Sequence, residues 1–422
     1  MSTDVVITSR PNPHALADLY RDLHRNPELS FAETRTAGIV AASLSALGYE
    51  VTSGVGGTGV VGILRRGAGP TVLVRADMDA LPVLEETGLD YASTARGTDP
   101  NGTEIPVMHA CGHDVHVTCL LGAAAELASD EGWAGTVMAV AQPAEELGTG
   151  ARAMVADGIY ERLGRPDVVL GQHVGPMPAG MIGLHPGAAF ATSDSLKVTL
   201  FGKGGHGSRP EACVDPIVMA AAVVMRLQTI VSRELAGSDT AVVSIGTLHA
   251  GTKVNIIPDT AELEINVRTY DVTVREHILA AIERIVRAEA TASNAPRPPT
   301  VELVDSFPFL FNDIEGSART AAALRGVVGD GAVIDPGPVT GSEDVGVFAL
   351  TADVPCVFWI LGGADPALFA GATTAQELLT VMAGIPSNHS PHYAPVIEPT
   401  LSVGVAALVA AAKEWLATSF AD

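Results

Sequence analysis

Four short apolar runs constrain the fold most: TVLV (71–74), GTVMAVAQ (135–142), PDVVLGQH (166–173) and VPCVFWIL (354–361). Each is continuous, with no polar alternation, as strands buried on both faces of a parallel sheet are. Helical stretches such as VHVTCLLGAAAELAS (115–129) and ATTAQELLTVMAG (372–384) alternate with them, and residues 13–48 read as one or two helices ending at Gly48. This alternation predicts an α/β fold: a catalytic domain with a mostly parallel mixed sheet flanked by helices.

Between residues 195 and 305 the pattern changes. SLKVTLFG, TAVVSIGTLHAG, TAELEINVRTY and PTVELV read as strands, and DPIVMAAAVVMRLQTIVSREL and VREHILAAIERIVRAEATAS as helices. The alternating strand TAELEINVRTY points to a sheet with one solvated face. Because α/β pattern resumes afterwards, the expected organisation is a catalytic domain in two parts, 1–190 and 306–422, around an inserted α+β satellite of four strands and two helices, 191–305. At 422 residues the chain exceeds one ordinary domain. Short linkers near 190 and 306 make closure over a substrate an expectation.

A formal charge of −23 argues against nucleic acid as a partner and disfavours anionic membrane surfaces, since both recruit Lys and Arg. MSTDVVITSR has no secretory pattern, and apolar runs such as LSVGVAALVAAA fall short of a bilayer span. Cys111, Cys119, Cys213 and Cys356 make no disulfide framework, so the expected location is the reducing cytoplasm.

Metal-friendly side chains gather at predicted strand ends, where open α/β sheets collect their ligands. RADMDALP carries Asp77 and Asp79; MHACGHDVHV carries Cys111, His113, Asp114 and His116; AQPAEELGTG carries Glu145 and Glu146; GQHVGPMP carries His173; NHSPHYAP carries His389 and His392. Singly, each has an ordinary reading: a turn-forming Asp, an interior His, a solvated Glu pair, a small buried Cys. Together they point to a metal site, with Cys-x-His as a two-ligand bite on an extended segment. Adjacent carboxylates suit metal-assisted hydrolysis, one binding the ion while the other takes the proton of the attacking water.

RADMDALP, MHACGHD, QPAEE, GQHV, GKGGHGSRP, NIIPD…VR, GSED and NHSPHY, in this order, resemble a family of two-metal amidohydrolases that includes aminoacylases, hippurate hydrolases, plant auxin–amino-acid conjugate hydrolases and, more distantly, glutamate-releasing carboxypeptidases. The resemblance runs from Asp22 to Leu408 and is closest to the hippurate and auxin-conjugate branch. It implies that Cys111 bridges two divalent ions, with Glu146 and His389 completing one site and His113 and His173 the other. Glu145 would be the general base, and Asp79 would orient a ligand imidazole. In the carboxypeptidase branch a His ligand stands where this chain has Asp77, and His113 takes over that function. From the inserted domain, His206 would reach across a dimer interface to the oxyanion, while Asn255 and Arg268 would hold the substrate's amide oxygen and terminal carboxylate.

The implied reaction is cleavage of a small-molecule N-acyl or N-aroyl amino acid by a homodimer joined through the inserted domain, with Zn, Mn, Co or Ni all suited to the donor set. The alternatives are a dipeptidase or carboxypeptidase of the same family, an amidase using Cys111 as nucleophile, and a metal-dependent binding protein without catalysis. Departures from the family pattern are Val115 and Val117 in CGHDVHV, Val345 and Gly346 after GSED, and Ala141 and Leu147 around QPAEE. They leave the implied ligands in place and alter the surroundings of the acyl group. His116 reads as a packing or capping residue.

Overall fold

All four apolar runs become neighbouring strands of one nine-stranded sheet, in the order Trp133–Gln142, Thr71–Asp77, Val168–Pro178, Cys356–Ala364. They are mutually parallel. Antiparallel strands Gly59–Arg66 and Glu50–Val55 extend one side, and the short strands Ile182–Gly183 and Val333–Ile334 the other. The sheet is therefore mixed with a parallel centre, as the run pattern predicts. This is a computed structural model describing residues 4–99, 101–372 and 374–418. Thr373, inside the predicted helix 372–384, lies outside the described residues, and that helix spans Ala375–Gly384.

The chain divides into two compact units, Met1–Ala189 with Phe311–Gly337 and Asp344–Asp422, and Phe190–Leu310 with Pro338–Glu343. In the first, the chain leaves Thr71–Asp77 for one neighbouring strand, Trp133–Gln142, and from there crosses to the strand on its other side, Val168–Pro178. Connections that part in this way open a crevice at the strands' carboxyl ends. Helix His113–Ser129 fills one side of the sheet. It is apolar nearly all round because it packs against the sheet and against helices Pro13–Arg25 and Thr400–Trp415, so all but its last turn is buried.

In the second unit, strands Ala241–Ala250, Thr260–Thr269, Thr192–Phe201 and Thr300–Phe307 form an antiparallel sheet in that order. Helices Pro216–Thr229 and Val272–Ala292 share a core with one face, where Val198, Leu263 and Ile265 meet Val223, Leu227 and Ile282. The 19 residues Pro216–Glu234 are apolar enough to cross a bilayer, yet Met219, Val223, Leu227 and Ile230 are fully buried in this core. The apolarity of these four serves packing within the unit, while Val218 and Met225 of the same helix are exposed.

Candidate metal centre

The segment carrying Cys111 and His113 is a turn, which corrects the extended segment expected from the sequence. Gly112 adopts φ +83°, and His113 opens the helix. A Cβ at Gly112 would lie 2.5 Å from Val174 Cγ1, so space as well as backbone angle demands glycine there. A second correction concerns His173. It sits inside strand Val168–Pro178, because Cys356–Ala364 runs beside it in parallel register and pairs Ile360 with His173 and Leu361 with Val174.

Within the first unit the five implied ligands converge. His173 Nε2 is 3.4 Å from Cys111 Sγ. His173 Nδ1–H donates to the Val174 carbonyl at 2.8 Å, which leaves Nε2 with its lone pair towards the thiol. His113 Nε2 is 3.8 Å from Glu146 Oε1 and 3.9 Å from Glu145 Oε2, and His389 Nε2 is 3.4 Å from Glu146 Oε2. Both nitrogens of His113 and Oε1 of Glu146 are buried without a hydrogen-bond partner. Buried polar atoms are rarely left so, and these three share one small volume with a thiol and two further imidazoles. A cation there would satisfy His113 Nε2 and Glu146 Oε1, while His113 Nδ1 faces Asp79 Oδ1 at 3.3 Å. The donor set of thiolate, imidazole and carboxylate fits a divalent transition metal.

The electrostatics agree. Burial pulls the His113 imidazole down, but Asp77, Asp79 and Glu146 outweigh it and raise it to about 10. Burial, reinforced by Asp79 and Asp77, raises Glu146 to about 7 against the opposing pull of His113. So much buried negative charge needs either protons or cations. Burial also drives the Cys111 thiol well above its ordinary range, helped by Glu146 and Glu145. A nucleophilic cysteine needs the opposite shift, which argues against Cys111 as an unaided nucleophile.

His116 is fully used by the protein, as its packing role predicts. Its Nδ1 meets Asp77, and its Nε2 accepts the Val174 N–H at 2.8 Å. Asp77 in turn pairs with the fully buried Arg75 at 2.7 Å. Asp77, which also lies 3.6 Å from His113 Nε2, is thus already engaged by Arg75 and His116.

Glu145 and Glu146 sit on a single 3₁₀ turn that three backbone contacts hold in place. Asp79 accepts the N–H groups of Glu145 at 3.1 Å and Glu146 at 3.0 Å, and buried Glu33 accepts that of Ala144 at 2.9 Å. Ala144 takes φ +48°, a left-handed conformation that a non-glycine residue keeps only when its surroundings impose it. Asp79 Oδ1 is also 3.3 Å from His113 Nδ1, close to where an imidazole-orienting carboxylate belongs. His389 has φ +72° and is tied to the site by its N–H on the Ala110 carbonyl. Beside it, Asn388 Nδ2 donates to the carbonyls of Cys111 and Val174, both at 3.0 Å. Sequence reasoning assigned no role to Glu33 or Asn388; only the presence of Asn388 in NHSPHY marks it.

His206, Asn255 and Arg268 lie in the second unit. His206 Nδ1 accepts the Ser208 N–H at 3.1 Å, and Asn255 accepts the Gly207 N–H on its carbonyl at 2.9 Å. Arg268 donates to Asn266 Oδ1 at 3.1 Å and to the Thr340 carbonyl at 2.8 Å, and it makes no ion pair among the described residues.

A family model, "Peptidase family M20/M25/M40", matches residues 73–414. The chain belongs to this family. Among M20 relatives, a hippurate hydrolase of Campylobacter jejuni is 40% identical over 331 residues, 77% of this chain and 82% of the relative. Thermostable carboxypeptidase 2 of Saccharolobus solfataricus is 36% identical over 356 residues, 82% and 85% of the two chains. A solved structure described as a dinuclear metal binding peptidase from the M20 family, from Bacillus subtilis, superposes with a TM-score of 0.74 at 28% identity, covering 96% of this chain and 99% of that one. This M20 chain is a hydrolase of amide bonds with a metal-binding site.

Proposed function

We propose that the chain hydrolyses N-acyl or N-aroyl amino acids to a carboxylic acid and a free amino acid, with two divalent ions per chain. The observation that carries this reading is the convergence of Cys111, His113, Glu146, His173 and His389 around buried, unpartnered donor atoms. Cys111, Glu146 and His389 would hold one ion, and Cys111, His113 and His173 the other, with Zn, Mn, Co and Ni all suited to these donors. Bound there, the ions supply Lewis-acid polarisation of the amide and a lowered water pKa.

The chain's own residues do the rest. Glu145 accepts the proton of the attacking water and delivers it to the leaving amine. Asp79 holds the turn of Glu145 and the ring of His113. His206, with Nδ1 occupied by the Ser208 N–H, presents Nε2–H across the dimer interface to the oxyanion of the partner subunit's site. Asn255 holds the amide oxygen, and Arg268 the terminal carboxylate through its fork.

The inserted domain 191–305 serves as lid and dimer contact in this reading. Exposed Val218 and Met225 on its first helix and the edge strand Ala241–Ala250 support a homodimer. Four free cysteines support a reducing, cytoplasmic setting. The carboxypeptidase relative favours a second reading, cleavage of short peptides. A panel of hippurate, N-acetyl amino acids, dipeptides and longer peptides separates the two. The account requires kcat/KM for acylated amino acids to exceed that for free-amine peptides; the reverse order would move the assignment to a peptidase.

A further inference from the structure

Glu33 is fully buried, and no Lys, Arg or His pairs with it among the described residues. A lone carboxylate so placed is costly unless hydrogen bonds offset the lost water. Its Oε1 accepts the N–H groups of Phe31 and Ala144, both at 2.9 Å, and its Oε2 accepts the Thr58 hydroxyl. These donors come from its own approach segment, from the hairpin between strands Glu50–Val55 and Gly59–Arg66, and from the turn that carries Glu145.

The Glu33 carboxylate does nothing for its own helix. It stands directly before helix Thr34–Ala46, where a carboxylate ordinarily serves the first free N–H groups. Here Glu28 does so, accepting the N–H of Arg35 at 2.9 Å and of Thr36 at 2.8 Å. Glu33 is thereby free to reach Ala144.

What it holds there is strained. Ala144 takes φ +48° and ψ +42°, and Glu145 follows it. Phe31, on the same oxygen, has φ +61°. Such angles persist in residues with a Cβ only where the surroundings over-determine them. The two peptide units that flank Ala144 are each tied down. Glu33 takes the N–H of the one before it, and Asp79 takes the Glu145 N–H of the one after it. Asp79 is itself held, accepting the Ser30 hydroxyl at 2.6 Å. With both planes fixed, so is the direction in which the chain enters Glu145.

Resting on the reading of Glu145 as general base, we infer that Glu33 is a positioning residue for that base. It pins the peptide before Ala144 and so holds Glu145 where it can take the proton of the attacking water. A displacement of about 1 Å at such a group costs about 10²-fold in rate.

The test is steady-state kinetics and metal content in the metal-loaded wild type, Glu33→Met, Ala144→Gly and the double variant. Glu33→Met keeps the buried volume and removes the acceptor. Its kcat should fall about 10- to 100-fold with KM within about twofold, because a base acts only in the transition state. Metal content should match the wild type, since Asp79 still holds the Glu146 N–H. Glycine adopts the left-handed angle without a Cβ to oppose it. In the Ala144→Gly background the Glu33→Met loss in kcat should therefore be smaller by about fivefold or more.

A role in folding alone would leave kcat of the folded protein unchanged, or lower it equally in both backgrounds. Either result would overturn the inference and leave the hydrolase reading standing. Should Glu33→Met fail to fold, Glu33→Asp carries the same test, being a methylene too short to hold Phe31, Thr58 and Ala144 together. Its kcat should fall by about threefold or more, again less in the Ala144→Gly background, and an undiminished kcat would refute the inference. Failure of the metal-loaded wild type to hydrolyse any acylated amino acid would overturn the hydrolase reading, and this inference with it.

Discussion

The side chain of Asp79 holds Glu145 by its backbone: the Glu145 N–H donates to Asp79 Oδ1 at 3.1 Å, and the same oxygen lies 3.3 Å from His113 Nδ1. One carboxylate therefore sets both the proposed base and a proposed ligand. Asp79→Asn keeps the shape but turns an acceptor into a donor facing these groups. The expected outcome is a 10- to 100-fold loss of metal affinity, about the effect of removing a carboxylate behind a ligand histidine, measured by competition with a chelating dye.

Glu145→Gln should separate binding from chemistry. The five proposed ligands are untouched, so metal content should match the wild type. Turnover should fall by about 10² to 10⁴, the usual contribution of a positioned general base. Elemental analysis and steady-state rates on the same preparation check both halves. Substantial residual turnover would remove Glu145 from the mechanism.

Much of this site was legible in the sequence because its ligands come in short motifs. Cys111 with His113, and Glu145 with Glu146, are neighbours in the chain, and TVLV and GTVMAVAQ mark the strands that carry Asp79 and the Glu pair. The supports were not legible. Glu33 reaches Ala144 across 111 residues, and Asn388 reaches Cys111 across 277, and no local pattern encodes such a contact. The turn at Gly112 and the extension of the strand beyond His173 also depend on tertiary neighbours, Val174 for the first and the strand Cys356–Ala364 for the second.

Gly112→Ala tests that turn. The left-handed angle alone costs a residue with a Cβ about 1–2 kcal/mol, and contact with Val174 adds to it. The expected result is a loss of about 2 kcal/mol or more in denaturant unfolding, with reduced metal content because Cys111 and His113 flank the residue. Wild-type stability and metal content would show that Val174 can move aside.

His24 provides a pH test at a residue that is not itself a proposed ligand. It is buried between Asp114 Oδ2 at 2.6 Å and Glu85 Oε1 at 3.1 Å. Burial lowers its pKa, but the two carboxylates overcome this and raise it to about 9. A raised folded-state value means that protonated His24 stabilises the fold fully below its unfolded pKa of about 6.5, and that this contribution is lost as pH rises towards 9. It is on the order of 3 kcal/mol at most. The stability difference between wild type and His24→Gln should therefore be largest below pH 6.5 and shrink towards pH 9. A difference that grew over that window would contradict the assignment.

The most direct test of the central claim is metal stoichiometry measured alongside hippurate hydrolysis, before and after chelation and after adding back Mn, Zn, Co or Ni. The account predicts close to two ions per chain, with activity lost on removal and restored on return, and neither property in Cys111→Ala. Undiminished hydrolysis by metal-free protein would contradict it.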